Sequence, residues 1–369
     1  MFLWAWKSLF SQRSTLVGSS LGIAGAFVLV LFFDAVFRGE SEQIVAYPTH
    51  MNPDLWVMQA GVGNMHMAMS YIWDWKKDVI AAMPEVGQVT PVLYSSSIID
   101  AGNSKLFAFI VGLLPGDDRA GPWAMTAGRR IVNPGEVVIP DVVSRITGIG
   151  IGDSLRITDH SFRVVGFSHG TYSSANPVIF VPFDDLEDIL SAGGAYSYLL
   201  VDAKEGVDPV QLAARIRREV EKVNVLTNEE LVANDFALAM QMGVEIIFIM
   251  TTICSALAAL IVGFTAYSLV ARKQRELAIV KALGGGRGSL IGSVVLQSVI
   301  MTLLGYLLAV AFALLVIPQI PLLVPQLTLV ISHEAILQIG LVAILVAVIG
   351  AVIPASLVLR LDPALAYQV

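Results

Sequence analysis

The segment after the first apolar run of this 369-residue chain is rich in side chains that bind soft metal ions. Two histidines and five methionines lie between residues 50 and 69: His50, Met51, Met58, Met65, His66, Met67 and Met69. Thioether sulfur and imidazole nitrogen are ligands for copper and for haem iron, so the candidate substrate residues here are Met58, Met65, His66 and Met67. Methionine is also a pliable apolar side chain, and the pattern favours packing or contact with a lipid tail over a metal site.

Two carboxylates, Asp34 and Glu245, interrupt otherwise apolar runs. A carboxylate inside a bilayer is costly unless it is paired or hydrated, so both residues are further candidates for substrate contact. Both lie near the predicted outer interface of the membrane, where this cost is lower. The pattern therefore favours a structural role at the helix ends.

The sequence lacks the motifs of nucleotide hydrolysis and of zinc catalysis. No GxxxxGK[ST] run occurs, and the cluster Gly284 to Gly286 lacks the lysine and hydroxyl residue that hold phosphate and magnesium. The five histidines do not form HExxH, and the single cysteine, Cys254, excludes a thiolate zinc cluster and an intrachain disulfide. We therefore expect no catalytic residue, no resident metal and no cofactor in this chain.

The composition is that of an integral membrane protein. Hydrophobic residues make up 56% of the chain and charged residues 14%, and the mean hydropathy is +0.73. A bilayer core of about 30 Å requires roughly 20 apolar residues in a helix, and four segments satisfy this requirement. The chain between the first and second segments is polar, because residues 38–240 hold 25 of the 30 acidic and 15 of the 23 basic residues.

The remaining basic residues all lie on one side of the four predicted spans. They are Lys7, Arg13, Arg272, Lys273, Arg275, Lys281, Arg287 and Arg360. Because Lys and Arg accumulate on the cytoplasmic side of membrane helices, both termini are predicted to be cytoplasmic and residues 38–240 to lie outside.

The predicted fold class is an α-helical membrane protein with four transmembrane helices and a large mixed α/β extracytoplasmic domain inserted between helices 1 and 2. Strand and helix patterns in this domain favour two lobes that divide near Gly135. The predicted divisions are a cytoplasmic interfacial helix at 1–14, transmembrane helix 1 at 15–37, the extracytoplasmic domain at 38–240, transmembrane helix 2 at 241–270, a cytoplasmic coupling segment at 271–288, transmembrane helix 3 at 289–316, an extracytoplasmic loop at 317–334, transmembrane helix 4 at 335–359 and a cytoplasmic tail at 360–369.

This arrangement resembles the permease subunits of ABC transporters of the MacB/FtsX/LolE type. The resemblance rests on AWKSLFSQRSTLVGSSLGIAGAF at 5–27, VVIPDVVSRITGIGIGDSLRI at 137–157, FRVVGF at 162–167, RKQRELAIVKALGGGRGSL at 272–290 and RLDPALAYQ at 360–368. The segment WVMQAGVGNMHMAMS at 56–70 is additionally similar to the DevC-like branch.

The resemblance implies that the coupling segment docks on a separate ATPase subunit. The residues that match this role are Arg272, Arg275, Glu276, Ile279, Lys281, Ala282, Leu283 and Gly284. Arg275, Glu276 and Lys281 offer charged contacts, and Leu277, Ile279 and Val280 offer apolar ones. The alternative is that these charges only set the membrane topology and solvate a loop.

The resemblance further implies a homodimeric permease in the bacterial plasma (inner) membrane, with ATP and magnesium on the partner ATPase. By mechanotransmission it would export, or handle outside the cytoplasm, an amphiphilic substrate such as a lipid, a glycolipid or a hydrophobic toxic compound. Further expected partners are a periplasmic membrane-fusion adaptor and membrane lipid, and no nucleic acid is expected. The alternatives are an FtsX-like regulatory subunit that controls an extracytoplasmic partner, and a haem or copper exporter.

Overall fold

The computed structural model describes residues 13–67, 69–102, 104–116, 119–172, 177–283 and 286–358. The chain forms two compact units. The membrane unit comprises residues 1–38, 245–320 and 329–369, and the α/β unit comprises residues 39–244 and 321–328. The predicted interfacial helix at 1–14, apart from its last two residues, and the predicted tail at 360–369 lie outside the described residues.

Twelve α-helices are found in the described residues. In chain order they are α1 Arg13–Ile44, α2 Ala46–Met51, α3 Asp74–Ala81, α4 Asp141–Thr147, α5 Phe183–Leu190, α6 Pro209–Glu219, α7 Asn228–Ala239, α8 Glu245–Arg272, α9 Gln274–Ala282, α10 Arg287–Val316, α11 Ile320–Leu323 and α12 His333–Val358. A π-helical turn, Met240–Val244, joins α7 to α8, and a 3₁₀ turn, Ile317–Gln319, follows α10.

The same residues contain twelve strands. They are β1 Leu55–Gln59, β2 Ile72–Trp73, β3 Val86–Ala101, β4 Ser104–Leu113, β5 Met125–Gly128, β6 Glu136–Pro140, β7 Ser154–Ile157, β8 His160–Ser168, β9 Val178–Pro182, β10 Ala195–Tyr196, β11 Tyr198–Ala203 and β12 Val223–Thr227.

The predicted fold class is confirmed. Within the described ranges, four helical stretches are long and apolar enough to span a membrane: Leu16–Ile44, Glu245–Arg272, Arg287–Leu323 and His333–Val352. The first precedes the mixed α/β unit and the other three follow it. The helix α1 continues seven residues past the predicted end of span 1 at residue 37.

Small side chains at four-residue intervals bring the membrane helices close together. The buried stripes are Gly305, Ala309 and Ala313 on α10 and Ala343, Ala347 and Ala351 on α12. The helix α12 packs against both α8 and α10. A Cβ atom added at Gly350 of α12 would lie 3.2 Å from the Cα of Gly263 on α8. Such close approach of helices is the main source of association energy in lipid, where the hydrophobic effect gives no gain.

The α/β unit contains a closed ring of strands. Strand β3 pairs with β4, β4 with β9, β9 with β6, β6 with β8, β8 with β7, and β7 returns to β3. The β4–β9 and β6–β8 pairs are parallel and the other four are antiparallel. Side chains on the inner face are buried, among them Ile99, Ile110, Val137, Val164 and Ile179.

Strand β3 belongs to two groups of strands. Residues 86–92 pair with β11, which continues to β1 and β12, whereas residues 93–101 pair with β4 of the ring. The predicted division of the domain near Gly135 is therefore wrong. Gly135 immediately precedes β6, and β6 lies in the same ring as β3 and β4.

The segment after Gly135 is also not all strand, although its many β-branched residues predict strands. The segment from Asp141 to Thr147 forms helix α4 and not a strand. The helix ends at Gly148, whose φ of 76° is a left-handed conformation that glycine adopts without a steric penalty.

A matched pair of substitutions on α8 tests the packing of the membrane unit. Ala258 is buried in the helix cluster, so Ala258→Leu is expected to overpack it and to cost about 1–3 kcal/mol of stability. Ala256 is exposed on the same helix, so Ala256→Leu is expected to leave stability nearly unchanged. The measurement is the apparent melting temperature of the purified protein in detergent. Equal shifts for the two variants would contradict this packing.

Candidate functional site

The predicted coupling segment contains a short helix, α9, between α8 and α10. One residue, Lys273, separates α8 from α9. The inner face of α9 is formed by Leu277 and Ala278, which are buried. Leu277 packs with Val270 of α8 and Leu290 of α10. The expectation that Leu277 offers an apolar contact to a partner is wrong, because this side chain anchors α9 to its own helices.

The outer face of α9 carries most of the predicted docking residues. Leu283 is 83% exposed and Ile279 is 42% exposed. Among the other predicted docking residues, the side chains of Arg272, Arg275, Glu276 and Ala282 are exposed and that of Lys281 is half-buried. Gly284 lies outside the described residues. The helix therefore presents charged groups beside apolar side chains that its own chain does not cover.

Lys273 is the charged residue at the base of this face. Its side chain is buried, and burial lowers its pKa, whereas the nearby charge of Glu276 opposes that shift. Glu276 therefore acts on an internal charge, and its side chain is also exposed at the surface.

A second polar site lies in the α/β unit, around Asp235 of helix α7. Thr227 and Glu230 form a capping box that fixes the start of α7. Leu231 and Asp235 are four residues apart and occupy its buried face. The Oδ1 atom of Asp235 accepts a hydrogen bond of 2.9 Å from the backbone N–H of Met65. The same oxygen lies 2.9 Å from Nδ1 of His66.

The structure brings several of the histidine and methionine candidates to one small cavity. The cavity has a volume of about 80 Å³. Its lining residues are Met65, His66, Met67, Met69, Tyr94, Ser95, Ser96 and Phe109. Met58 is not among them, because this side chain is fully buried in the core with Trp56 and Tyr198.

Asp235 is the residue of this site that sequence reasoning missed. Its position four residues after Leu231 is a weak signal, because α7 has no pronounced apolar face in sequence. Burial raises the pKa of the nearby hydroxyls of Tyr94 and Tyr198, and the charge of Asp235 adds to both shifts. Both tyrosines are therefore neutral at physiological pH.

The remaining candidates, Asp34 and Glu245, do not join this site. The carboxylate of Asp34 accepts a hydrogen bond of 2.9 Å from Nε of Arg38, one turn later on α1. Glu245 is exposed in the first turn of α8. The Asp34–Arg38 pair is an i,i+4 ion pair inside α1, ten residues before that helix ends at Ile44.

Two serines, Ser20 and Ser168, match the GxSxG pattern of hydrolases. A nucleophile elbow requires a sharp turn from a strand into a helix that exposes the serine. Ser20 is buried within α1. Ser168 ends strand β8, is buried, and lies 2.6 Å from the hydroxyl of Thr171. Neither serine has the geometry of a nucleophile.

Two family models cover most of the chain. The MacB-like periplasmic core domain matches residues 14–219. The FtsX-like permease C-terminal model matches residues 248–363, which include α9 and the last two long apolar helices.

Several individual proteins are similar to this chain. An uncharacterised ABC transporter permease of Mycobacterium bovis is 25% identical over 362 residues, covering 96% of this chain and 95% of its own. The pyoverdine export ATP-binding/permease protein PvdT of Pseudomonas putida is 22% identical over 379 residues, covering 97% of this chain and 57% of its own. The crystal structure of the periplasmic region of MacB from Actinobacillus actinomycetemcomitans has a TM-score of 0.38 at 14% identity, covering 50% of this chain and 94% of that one. The first family model alone spans more than half of this chain, so the chain belongs to the MacB/FtsX-type ABC transporter permeases.

Proposed function

We propose that this permease couples ATP hydrolysis by a separate ABC ATPase subunit to the export, or the handling outside the cytoplasm, of an amphiphilic substrate. The observation that carries the proposal is the two-faced helix α9. Leu277 fixes it to α8 and α10, while Glu276, Ile279 and Leu283 remain exposed for a partner. ATP and Mg²⁺ bind the ATPase subunit in this scheme, and the permease itself binds neither.

The transmission of force follows from how α9 is connected. One residue joins it to α8, and its buried face packs on both α8 and α10. A displacement of α9 by an ATPase therefore moves these two helices together, because close-packed interiors shift as units and do not deform continuously. The chain continues from α8 through the π-helical turn into the α/β unit, which gives the motion a covalent route outward. We propose that two permease copies act together in this mechanotransmission in the plasma membrane.

The substrate class is suggested by a groove between α1 and α10. It is apolar, has a volume of about 570 Å³ and is lined by Leu21, Ala24, Gly25, Val28, Leu308, Ala311, Phe312 and Leu315. We assign it to the hydrocarbon portion of the amphiphile. Export is favoured over an FtsX-like regulatory role because the name of the Pseudomonas putida relative, PvdT, assigns export to that protein. A periplasmic membrane-fusion adaptor is a further partner of the exporting assembly.

The docking role of α9 is tested by charge reversal. Glu276→Lys is expected to weaken binding of the ATPase by more than tenfold and to abolish stimulated ATPase activity, since loss of one member of an interfacial charge pair costs about 2–5 kcal/mol. The measurement uses the ABC ATPase that co-purifies with the wild-type permease from host membranes.

A second variant separates docking from stability in this test. Glu276→Lys also removes the acid beside buried Lys273, whereas Leu283→Asp changes an exposed side chain and should leave the melting temperature unchanged. The matched control is Glu334→Lys, at an exposed glutamate in the first turn of α12. Normal coupling in both Glu276→Lys and Leu283→Asp would eliminate the docking role.

The proposed sidedness is tested by cysteine labelling. Cys254→Ser removes the only native cysteine, and new cysteines are placed at Leu283, which is 83% exposed, and at Val132, which is 73% exposed. In intact cells a membrane-impermeant maleimide should label Val132→Cys and not Leu283→Cys, and inverted vesicles should give the opposite result. Labelling of Leu283→Cys in intact cells would overturn the assignment of α9 to the cytoplasm.

The groove is tested by filling it. A Cβ atom at Gly25 would meet no other atom within 4 Å, so Gly25→Leu is expected to occupy the groove without disturbing helix packing. In lipid nanodiscs, crosslinking of an acyl-diazirine phosphatidylethanolamine to α10 should fall sharply, because the added side chain excludes the acyl chain. Gly18→Leu, at an equally open site on α1 outside the groove, is the control. Unchanged crosslinking in Gly25→Leu would refute the assignment.

A further inference from the structure

We propose that the α/β unit binds one soft monovalent cation, a cuprous ion, through Nε2 of His66 and the thioether sulfurs of Met67 and Met69. This site is independent of the ATPase-docking face and of the membrane groove. It requires neither the proposed substrate nor the proposed transport cycle.

The first argument is the orientation of the imidazole. An ionised carboxylate only accepts hydrogen bonds, so Nδ1 of His66 carries the proton and donates it to Asp235. With Nδ1 donating to Asp235, Nε2 is the ring nitrogen that can bind a metal ion. No group within the described ranges hydrogen-bonds Nε2. Metal-binding histidines commonly donate their other nitrogen to a carboxylate in this way, which fixes the ring and makes it a better ligand.

The second argument is the exposure of two methionines beside this histidine. Met67 is 65% exposed and Met69 is 49% exposed, so neither contributes much to the core. Both nevertheless line the same small cavity as His66. The loop that carries them is held in place, because the backbone N–H of Met67 donates to the side chain of Asn64. Asn234 of α7 donates to the carbonyl of Gly63.

The third argument is the unpartnered carboxylate oxygen of Asp235. Its carboxylate is buried, and its Oδ2 atom has no hydrogen-bond partner among the described residues. A buried carboxylate is strongly destabilising without a compensating charge. A cation on Nε2 of His66 provides that charge through the imidazole ring.

The donor set and the cavity volume select the ion. Thioether and imidazole ligands favour Cu⁺, whereas Zn²⁺ and Mg²⁺ sites use thiolates, carboxylates or several histidines. Within the described residues, no group of three or more His, Cys, Asp and Glu side chains is placed to hold a metal. A volume of about 80 Å³ accommodates an ion but lies far below the roughly 300–1,000 Å³ of organic-ligand sites. Met58 is fully buried in the core and does not line the cavity, so it contributes no ligand to this site.

The site is tested by titrating the purified full-length protein with Ag⁺, a redox-inert soft cation, and with Cu⁺ in competition with a chromophoric chelator. The wild type is expected to bind a single ion of either kind with high affinity and to bind Zn²⁺ weakly. Met67→Leu combined with Met69→Leu removes only the sulfurs from exposed positions, so the fold should be retained and affinity should fall by roughly 10–100-fold. Asp235→Asn should lower affinity by a similar factor through misorientation of the imidazole.

Met58→Leu is the matched control, because it removes a sulfur that does not face the cavity. It should leave the affinity for Ag⁺ unchanged. X-ray absorption of the Cu⁺ form should show both nitrogen and sulfur scatterers and should lose the sulfur contribution in the double variant. Absence of stoichiometric Ag⁺ binding, or equal affinity in the wild type and the double variant, would overturn the proposal.

Discussion

The close contact of small residues between the long apolar helices is the interaction on which the membrane unit depends. In lipid, apolar helix surfaces gain little by association unless their backbones approach closely. Gly350 of α12 allows this approach to Gly263 of α8, and Gly305 of α10 allows a similar approach to Ser20 and Ile23 of α1. The helix α9 is anchored on the resulting base through Leu277. The orientation of its exposed face is therefore a consequence of packing in the membrane helices and not of the sequence of α9 alone.

The α/β unit is stabilised by a different constraint, the pairing of strand edges. The ring from β3 to β7 leaves few free edges, and its interior is filled by aliphatic side chains. The polar site is placed outside this interior, where α7 packs beside β1 and β12. Asp235 is held there by a loop from one part of the chain and a helix from another, so its two partners, Met65 and His66, are about 170 residues distant in sequence. A buried charge assembled in this way depends on the complete fold of the unit.

The sequence predicted correctly the features that depend on the composition of long segments. The four long apolar helices and the inserted α/β domain follow from hydropathy, because about 20 consecutive apolar residues have few other uses in a protein. Helix α4 was missed, since its run of valine, isoleucine and threonine favours a strand and only tertiary contacts make it helical. The burial of Leu277 was not predictable either, because a nine-residue helix with apolar side chains on two sides does not reveal which side faces its own protein. The pairing of His66 with Asp235 was not predictable because contacts between residues far apart in sequence leave no local signal.

Strand β3 has sixteen residues, and its two halves pair with different neighbours. Successive side chains of a strand point to opposite faces. Removing or inserting one residue in the first half of β3 would therefore move the side chains of the second half to the opposite face of the sheet. Related proteins should therefore differ in length at the loops around the ring but keep the length of β3. The same rigidity makes this strand an unsuitable position for fluorescent-protein insertions or epitope tags.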